Sequence, residues 1–134
     1  HGGAVHRCVT PGGLGLAESV DMRRVLGQPG VERGLLRDPR EAVAGAHLVS
    51  TDVWASMGQE GEAEKRRAAF KGYQVNGALL AAANPGCMVQ HCLPAHRGEE
   101  ITAEVFEAHA QEIFDEAENR LHTQKAIMAL TMAD

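Results

Sequence analysis

Short apolar runs alternate along this chain with segments whose apolar residues recur at helical spacing. Strands are predicted at residues 4–10, 48–53, 87–90 and 113–114. Helices are predicted at residues 16–26, 39–44, 60–70, 76–82, 103–108 and 117–132. Strands that alternate with helices are typical of a parallel sheet with crossover helices. The pattern therefore predicts an α/β protein with a three-layer, Rossmann-like parallel sheet and helices on both of its faces.

Capping residues mark the starts of three of these helices. Asp38 precedes Pro39, and a carboxylate followed by proline at the first helical position is a strong start signal. Asn76 and Thr102 are predicted to cap the helices that follow them. Gly45 is predicted to end the helix at 39–44. The last predicted helix is apolar on nearly every face between residues 126 and 132, so we expect another surface to cover it.

Composition narrows the class of protein. A chain of 134 residues is large enough for one domain with a single core. The net charge of −5 argues against a nucleic acid partner, because phosphate binding needs clustered cations. No run approaches the roughly 20 apolar residues of a membrane span, so no membrane partner is expected. Three cysteines cannot all pair within one chain, which favours a reducing, cytoplasmic setting.

Two loops that follow predicted strands carry the candidate chemistry. The sequence His91-Cys92-Leu93-Pro94 comes directly after the strand at 87–90, and Asp52 lies at the end of the strand at 48–53. Polar groups at the carboxyl ends of parallel strands face the crevice where ligands bind. We therefore expect Asp52 and Cys92 to lie close together in an active site.

These loops, with Glu118-Asn119-Arg120 near the C-terminus, resemble ornithine carbamoyltransferase in three motifs, their order and their spacing. The resemblance extends from about residue 4 to residue 130. It implies transfer of the carbamoyl group from carbamoyl phosphate to the δ-amine of ornithine, which gives citrulline and phosphate. It implies no metal and no organic cofactor.

For ornithine, the resemblance implies that Asp52 and Ser56 bind the α-ammonium and that the Met57 N–H helps to hold the carboxylate. A carboxylate opposite an ammonium also makes sense physically, because an unpaired charge in a partly dry pocket costs several kcal/mol. An aspartate at a strand end can equally cap a neighbouring turn, and Asp52 alone does not distinguish the two roles.

For carbamoyl phosphate, the resemblance places the Cys92 side chain near the δ-amine and the carbonyls of Cys92 and Leu93 against the carbamoyl NH₂. Pro94 is predicted to hold Leu93 extended, since the residue before proline avoids the helical region. The Arg120 guanidinium is placed on the carbonyl oxygen, where negative charge develops. The catalytic residues so implied are Cys92 and Arg120.

The family's N-terminal domain carries a Ser-x-Arg-Thr-Arg motif, and its ornithine domain opens on Gly-Asp-Gly-Asn-Asn; neither occurs in this sequence. The resemblance therefore implies a partial ornithine-binding domain, incomplete at its N-terminal end. Its last helix would pack on an N-terminal carbamoyl-phosphate domain of the same enzyme. Family enzymes are trimers or larger, and the 134 residues alone are expected to be inactive.

Several alternatives remain. Cys92 beside His91 and His96 could be an activated nucleophile, or the three could bind a soft metal. Arg120 could pair with Glu116 on a helix surface. A sister carbamoyltransferase with another amine acceptor is possible, although an aspartate enzyme would carry proline in place of Cys92. An inactive amino-acid-binding fragment is the alternative outside enzymes.

Overall fold

A computed structural model describes residues 5–9, 32–55 and 60–132. The predicted helix at 16–26 lies outside these residues, as do Ser56 and Met57. In chain order the elements are β1 (Val5–Val9), β2 (Glu32–Leu36), α1 (Pro39–Val43), β3 (Leu48–Thr51), a 3₁₀ turn (Glu60–Glu62), α2 (Ala63–Ala69), α3 (Gly77–Leu80), β4 (Met88–His91), α4 (Ala103–Ala108) and α5 (Ala110–Met132).

The strands pair in parallel, which confirms the predicted α/β class. β1 pairs with β2, and β3 pairs with β4. Within the described residues these are two separate two-stranded sheets and not one continuous sheet. β2 was missed at the sequence level because Glu32 and Arg33 interrupt its apolar pattern. The register of β3 and β4 places Thr51 opposite His91, so the two strands end side by side.

The predicted caps are confirmed, and they set the starts of three helices. Each side-chain oxygen accepts a backbone N–H from the first turn, which satisfies a donor that the helix itself cannot pair. The pairs are Asp38 with Arg40 N–H at 2.8 Å, Asn76 with Leu79 N–H at 2.9 Å and Thr102 with Val105 N–H at 3.4 Å. Gly45, two residues beyond α1, has φ of +69°, a conformation that glycine adopts without a Cβ clash.

One apolar core joins β3 and β4 to the helices. Its buried members are Val43, Val49, Val75, Leu79, Cys87, Val89, Ile101, Val105, Phe106 and Ile113. Val89 in β4, Ile101 after the His91 loop and Ile113 in α5 are fully buried. The core therefore fixes the carboxyl end of β4 from both sides, through the loop that follows the strand and through α5.

The predicted strand at 113–114 is wrong, because both residues belong to α5. Two adjacent apolar residues carry no periodicity that distinguishes a strand from a helix. Packing decides: α5 lies along β4, and the Glu112 side chain accepts the N–H of Val89 at 2.9 Å. The pKa of Glu112 is lowered mainly by that N–H, with the nearby His109 adding to the effect. α5 begins at Ala110, earlier than the predicted start at residue 117, and Arg120 lies near its middle.

The C-terminal half of α5 carries several exposed apolar side chains. Ile127 and Met128 are about half exposed, and Leu130 is 84% exposed. Contiguous exposed apolar side chains are typical of a surface that another polypeptide covers. Within the described ranges, no helix has both the length and the apolar character required to cross a membrane.

Candidate active site

β3 and β4 bring two of the predicted site residues together. Asp52 follows β3 and Cys92 follows β4, each one residue beyond the paired ends Thr51 and His91. The strands are parallel neighbours, so both side chains lie at the same edge of the sheet. The Asp52 carboxylate is close enough to accept a hydrogen bond from the Cys92 thiol. The expected proximity of these two residues is therefore observed.

Asp52 also caps its own turn, because one of its oxygens accepts the N–H of Val53 at 2.7 Å. The residue remains exposed, so its carboxylate can bind a ligand while it holds the turn. Trp54, two residues on, stacks on Phe70 with ring centroids 5.9 Å apart and an angle of 12°. That contact anchors the loop to the end of α2, and Trp54 therefore has a packing role.

The Cys92 thiol is held in its neutral form. Its pKa is raised to about 11, first by burial and then by the Asp52 carboxylate, which accepts its hydrogen bond and repels its anion. Arg120 lowers the pKa, but by less. A nucleophilic cysteine needs the opposite environment, one that favours the thiolate. This environment does not favour the alternative of an activated cysteine nucleophile.

Alkylation tests this environment. At about pH 8, a thiol with a pKa near 11 has roughly a hundredfold less thiolate than one at its ordinary value of 9.0. We expect iodoacetamide to label Cys92 about a hundredfold more slowly than a free cysteine, as followed by mass spectrometry of the peptide that contains it. Asp52→Asn should speed the labelling, because it removes the repelling charge. Labelling at the rate of an ordinary exposed cysteine would contradict the assigned environment.

Arg120 reaches the same edge from α5. Its Nη1 donates a hydrogen bond to the carbonyl oxygen of Cys92 at 2.9 Å. Among the described residues it forms no ion pair with Glu116, one of whose carboxylate oxygens is buried without a hydrogen-bond partner, so the alternative of a simple helix-surface pair does not hold. A carbonyl oxygen has two lone pairs, which leaves the Cys92 oxygen free to accept one further donor.

A cavity of about 620 Å³ lies between β4 and α5, with Arg120 and Gln90 among its lining residues. Neither Asp52 nor Cys92 lines it. We place the candidate site at the ends of β3 and β4 instead, because Asp52, Cys92 and Arg120 meet there. Arg120 borders both regions.

Leu93 departs from its predicted conformation. Its φ is +50°, in the left-handed region, whereas Pro94 was expected to hold it extended; the Leu93–Pro94 peptide is cis. Left-handed backbone is unfavourable for a residue with a branched side chain and persists only where neighbouring contacts impose it. The contact here is the Leu93 N–H, which donates to His91 Nδ1 at 3.0 Å.

Glu100 is a buried polar residue that sequence reasoning missed. It is fully buried, and its Oε1 lies 2.9 Å from Nε2 of the equally buried His91. Nothing in the local sequence separates it from Glu99, which is partly exposed and pairs with Arg67 at 3.0 Å. Only the alternation of burial along a loop packed on the core distinguishes the two.

The proposed soft-metal triplet of His91, Cys92 and His96 is not assembled. Both ring nitrogens of His91 are already bound, one to Leu93 N–H and one to Glu100. The residues that the described ranges do bring within 4.8 Å are His96, Glu99 and Glu100. Their carboxylates already accept from Arg67 and His91.

The sequence from residue 3 to residue 131 matches the family model of the aspartate/ornithine carbamoyltransferase Asp/Orn-binding domain. The chain belongs to this family. The match covers nearly the whole chain, including both strand-end loops and α5.

Individual relatives agree with this assignment. The chain is 63% identical to an ornithine carbamoyltransferase of Syntrophotalea carbinolica over 98 residues, which cover 73% of this chain and 32% of the relative. It is 53% identical to that of Gloeobacter violaceus over 125 residues, which cover 92% and 40%. The crystal structure of an anabolic ornithine carbamoyltransferase from Campylobacter jejuni is similar with a TM-score of 0.80 and 33% identity, over 96% of this chain and 43% of that one. The chain thus spans about a third to two-fifths of the curated relatives it matches.

Proposed function

We infer that this chain is the ornithine-binding half of an ornithine carbamoyltransferase. The observation that carries the inference is the convergence of three side chains from separate parts of the sequence: Asp52 after β3, Cys92 after β4 and Arg120 from α5. They combine a negative group, a neutral polar group and a positive group at one sheet edge. That combination suits a substrate with an ammonium at one end and a reacting carbonyl at the other.

Ornithine would bind by its α-amino acid end. The exposed carboxylate of Asp52 would supply the counter-charge for the α-ammonium. The Ser56 hydroxyl would be a second ligand of that ammonium, and the Met57 N–H would hold the α-carboxylate. Hydrogen bonds to charged groups contribute about 1.5–3 kcal/mol each. The substrate would thus be fixed by its α-amino acid end, with the δ-amine directed toward Cys92. The neutral thiol brings no negative charge to that end.

The carbamoyl group would bind between the loop and α5. Arg120 donates to its carbonyl oxygen, and the carbonyl oxygens of Cys92 and Leu93 accept from its NH₂. The neutral δ-amine attacks the carbonyl carbon, and a tetrahedral intermediate forms with negative charge on that oxygen. The carbon–oxygen bond to phosphate then breaks, phosphate leaves with its electron pair, and the amine nitrogen gives up a proton to the departing phosphate, which yields citrulline. Catalysis consists of orienting two substrates and stabilising one oxyanion, without metal or cofactor.

Such an enzyme would also need a phosphate-binding domain and a partner surface for α5, which residues outside these 134 would supply. The phosphate of carbamoyl phosphate would be held by an N-terminal domain that carries the Ser-x-Arg-Thr-Arg motif. The exposed apolar end of α5, around Ile127, Met128 and Leu130, is a suitable surface for that domain. Assembly into a trimer or larger oligomer and a cytoplasmic location belong to the same proposal.

A citrulline assay tests the proposal. The full-length protein that contains this chain is expected to form citrulline from ornithine and carbamoyl phosphate, whereas the 134 residues alone should form none. The same assay with putrescine or aspartate as acceptor separates the sister carbamoyltransferases. Robust turnover by the 134 residues would refute the division into two halves, and failure of the full-length protein with ornithine would refute the assigned reaction.

A further inference from the structure

The peptide unit that joins Cys92 to Leu93 is held from both sides. Its carbonyl oxygen accepts from Arg120 Nη1 at 2.9 Å, and its N–H donates to His91 Nδ1 at 3.0 Å. Because a peptide unit is planar, with its C=O and N–H on opposite sides, these two bonds fix its orientation. A rotation of this plane would move the Cys92 oxygen away from the guanidinium.

Glu100 holds His91 in the tautomer that its hydrogen bond to the Leu93 N–H requires. The Leu93 N–H can only donate, so His91 Nδ1 must be the acceptor and Nε2 must carry the ring proton. Nε2 donates to Glu100 Oε1 at 2.9 Å, and both side chains are fully buried. The same Oε1 accepts the N–H of His96 at 2.6 Å, which ties the far side of the loop to the same atom.

Glu100 is itself anchored to the core and not to the loop it holds. Its carbonyl oxygen accepts the N–H of Val75 at 2.8 Å, and the Thr102 N–H donates to the oxygen of Val75 at 3.0 Å. Ile101, between them, is fully buried. The carboxyl group is therefore fixed by the folded core, and the loop from His91 to His96 is fixed by the carboxyl group.

We propose that Glu100 and His91 are positioning residues for carbamoyl transfer, acting through the Cys92–Leu93 peptide on Arg120. The proposal rests on the function inferred above. Leu93 is kept at φ of +50° by its bond to His91, and loss of that bond lets it return to a favourable negative φ. The Cys92 oxygen then turns from Arg120, and the donor for the developing oxyanion is no longer held in place.

Ornithine affinity and turnover should respond differently to this loss. Asp52, which would hold the amino acid end, lies on the loop after β3 and is not held by Glu100. A misplacement of about 1 Å near the reacting atoms costs roughly a hundredfold in rate. Loss of the hydrogen bonds from Glu100 to His91 and from His91 to Leu93 should therefore lower kcat and leave the KM for ornithine nearly unchanged.

Three substitutions in the full-length protein form the test. Glu100→Leu keeps the size of the side chain but removes the acceptor, and kcat should fall roughly a hundredfold with the ornithine KM within about threefold. Glu100→Gln keeps an amide oxygen where Oε1 lies and should restore kcat to within about threefold of the unmodified protein. Glu107→Leu is the matched control, since Glu107 is exposed and binds Arg97 of the same loop at 2.8 Å; its kcat should be unchanged.

Hydrogen exchange at the Leu93 amide, measured on the full-length protein, provides a readout that does not depend on activity. The amide should be protected in the unmodified protein and in Glu100→Gln, and should exchange faster in Glu100→Leu. If Glu100→Leu does not fold, the decision rests on His91→Gln, which keeps a donor toward Glu100 but removes the acceptor of Leu93; the same loss of kcat is expected.

The proposal is overturned if the Leu93 amide exchanges freely in the unmodified protein. It is overturned equally if the variant that is measured, Glu100→Leu or His91→Gln, keeps kcat within about threefold, or loses ornithine affinity in proportion to kcat. Absence of citrulline formation by the unmodified full-length protein would reject the assigned reaction. The exchange data would still decide whether Glu100 and His91 hold the peptide.

Discussion

Replacement of Arg120 by glutamine is expected to lower kcat by about a hundredfold or more in the full-length protein. The guanidinium lies 2.9 Å from the Cys92 oxygen, at the edge where the carbamoyl carbonyl would bind. A preorganised donor to a developing oxyanion contributes about 3 kcal/mol to the transition state, and removing it costs turnover and not ground-state binding. Steady-state kinetics with both substrates at saturation measures the effect.

Two further variants define what the Arg120 result means. Lys125→Gln removes an exposed cation five positions along the same helix and should leave kcat unchanged. Arg120→Lys keeps the charge but not the planar fork of donors and should recover only part of the rate. A change confined to KM for carbamoyl phosphate would mean that Arg120 binds ground state and transition state equally, contrary to the proposed role.

Asp52→Asn should weaken ornithine far more than carbamoyl phosphate. The substitution keeps the size of the side chain and an oxygen for the Val53 N–H but removes the counter-charge for the α-ammonium. A hydrogen bond to a charged group is worth about 1.5–3 kcal/mol, so the KM for ornithine should rise roughly 10–100-fold. The KM for carbamoyl phosphate should change by less than about threefold.

Asp38→Asn is the matched control for this prediction. Asp38 caps α1 through Arg40 N–H, and asparagine caps helices about as well as aspartate. That variant should leave both KM values unchanged. Equal losses for ornithine and carbamoyl phosphate in Asp52→Asn would indicate a general disturbance of the loop and would remove the argument for an ammonium site.

The sequence alone was sufficient for the features that depend on neighbours in the chain. The caps at Asp38, Asn76 and Thr102 lie within three residues of the groups they bind, and they were predicted correctly. The positions of Asp52 and Cys92 at adjacent strand ends follow from the alternation of strands and helices, because parallel strands end at the same edge. The roles of Ser56 and Met57 lie outside the described residues and stay predictions.

The errors concern segments whose state depends on distant contacts. Ile113 and Phe114 were predicted as a strand, yet they continue α5, because the helix packs on β4 and Glu112 binds the Val89 N–H, 23 positions away. β2 was overlooked because its charged residues interrupt the apolar pattern that predicts a strand. Pairing with β1 stabilises the extended conformation of this segment. In both cases the partner that settles the conformation is remote in sequence, and local propensity is only a weak prior.

By itself, then, the sequence determined the α/β class, the starts of the three capped helices and the three residues that converge on the candidate site. Only the tertiary structure decided the chemical state of that site. The neutral thiol of Cys92 arises from burial beside Asp52, the left-handed Leu93 from a bond to His91, and the choice of Glu100 over Glu99 from packing against the core. Burial and through-space electrostatics depend on which side chains fold against one another, and neither is encoded in the spacing of residues along the chain.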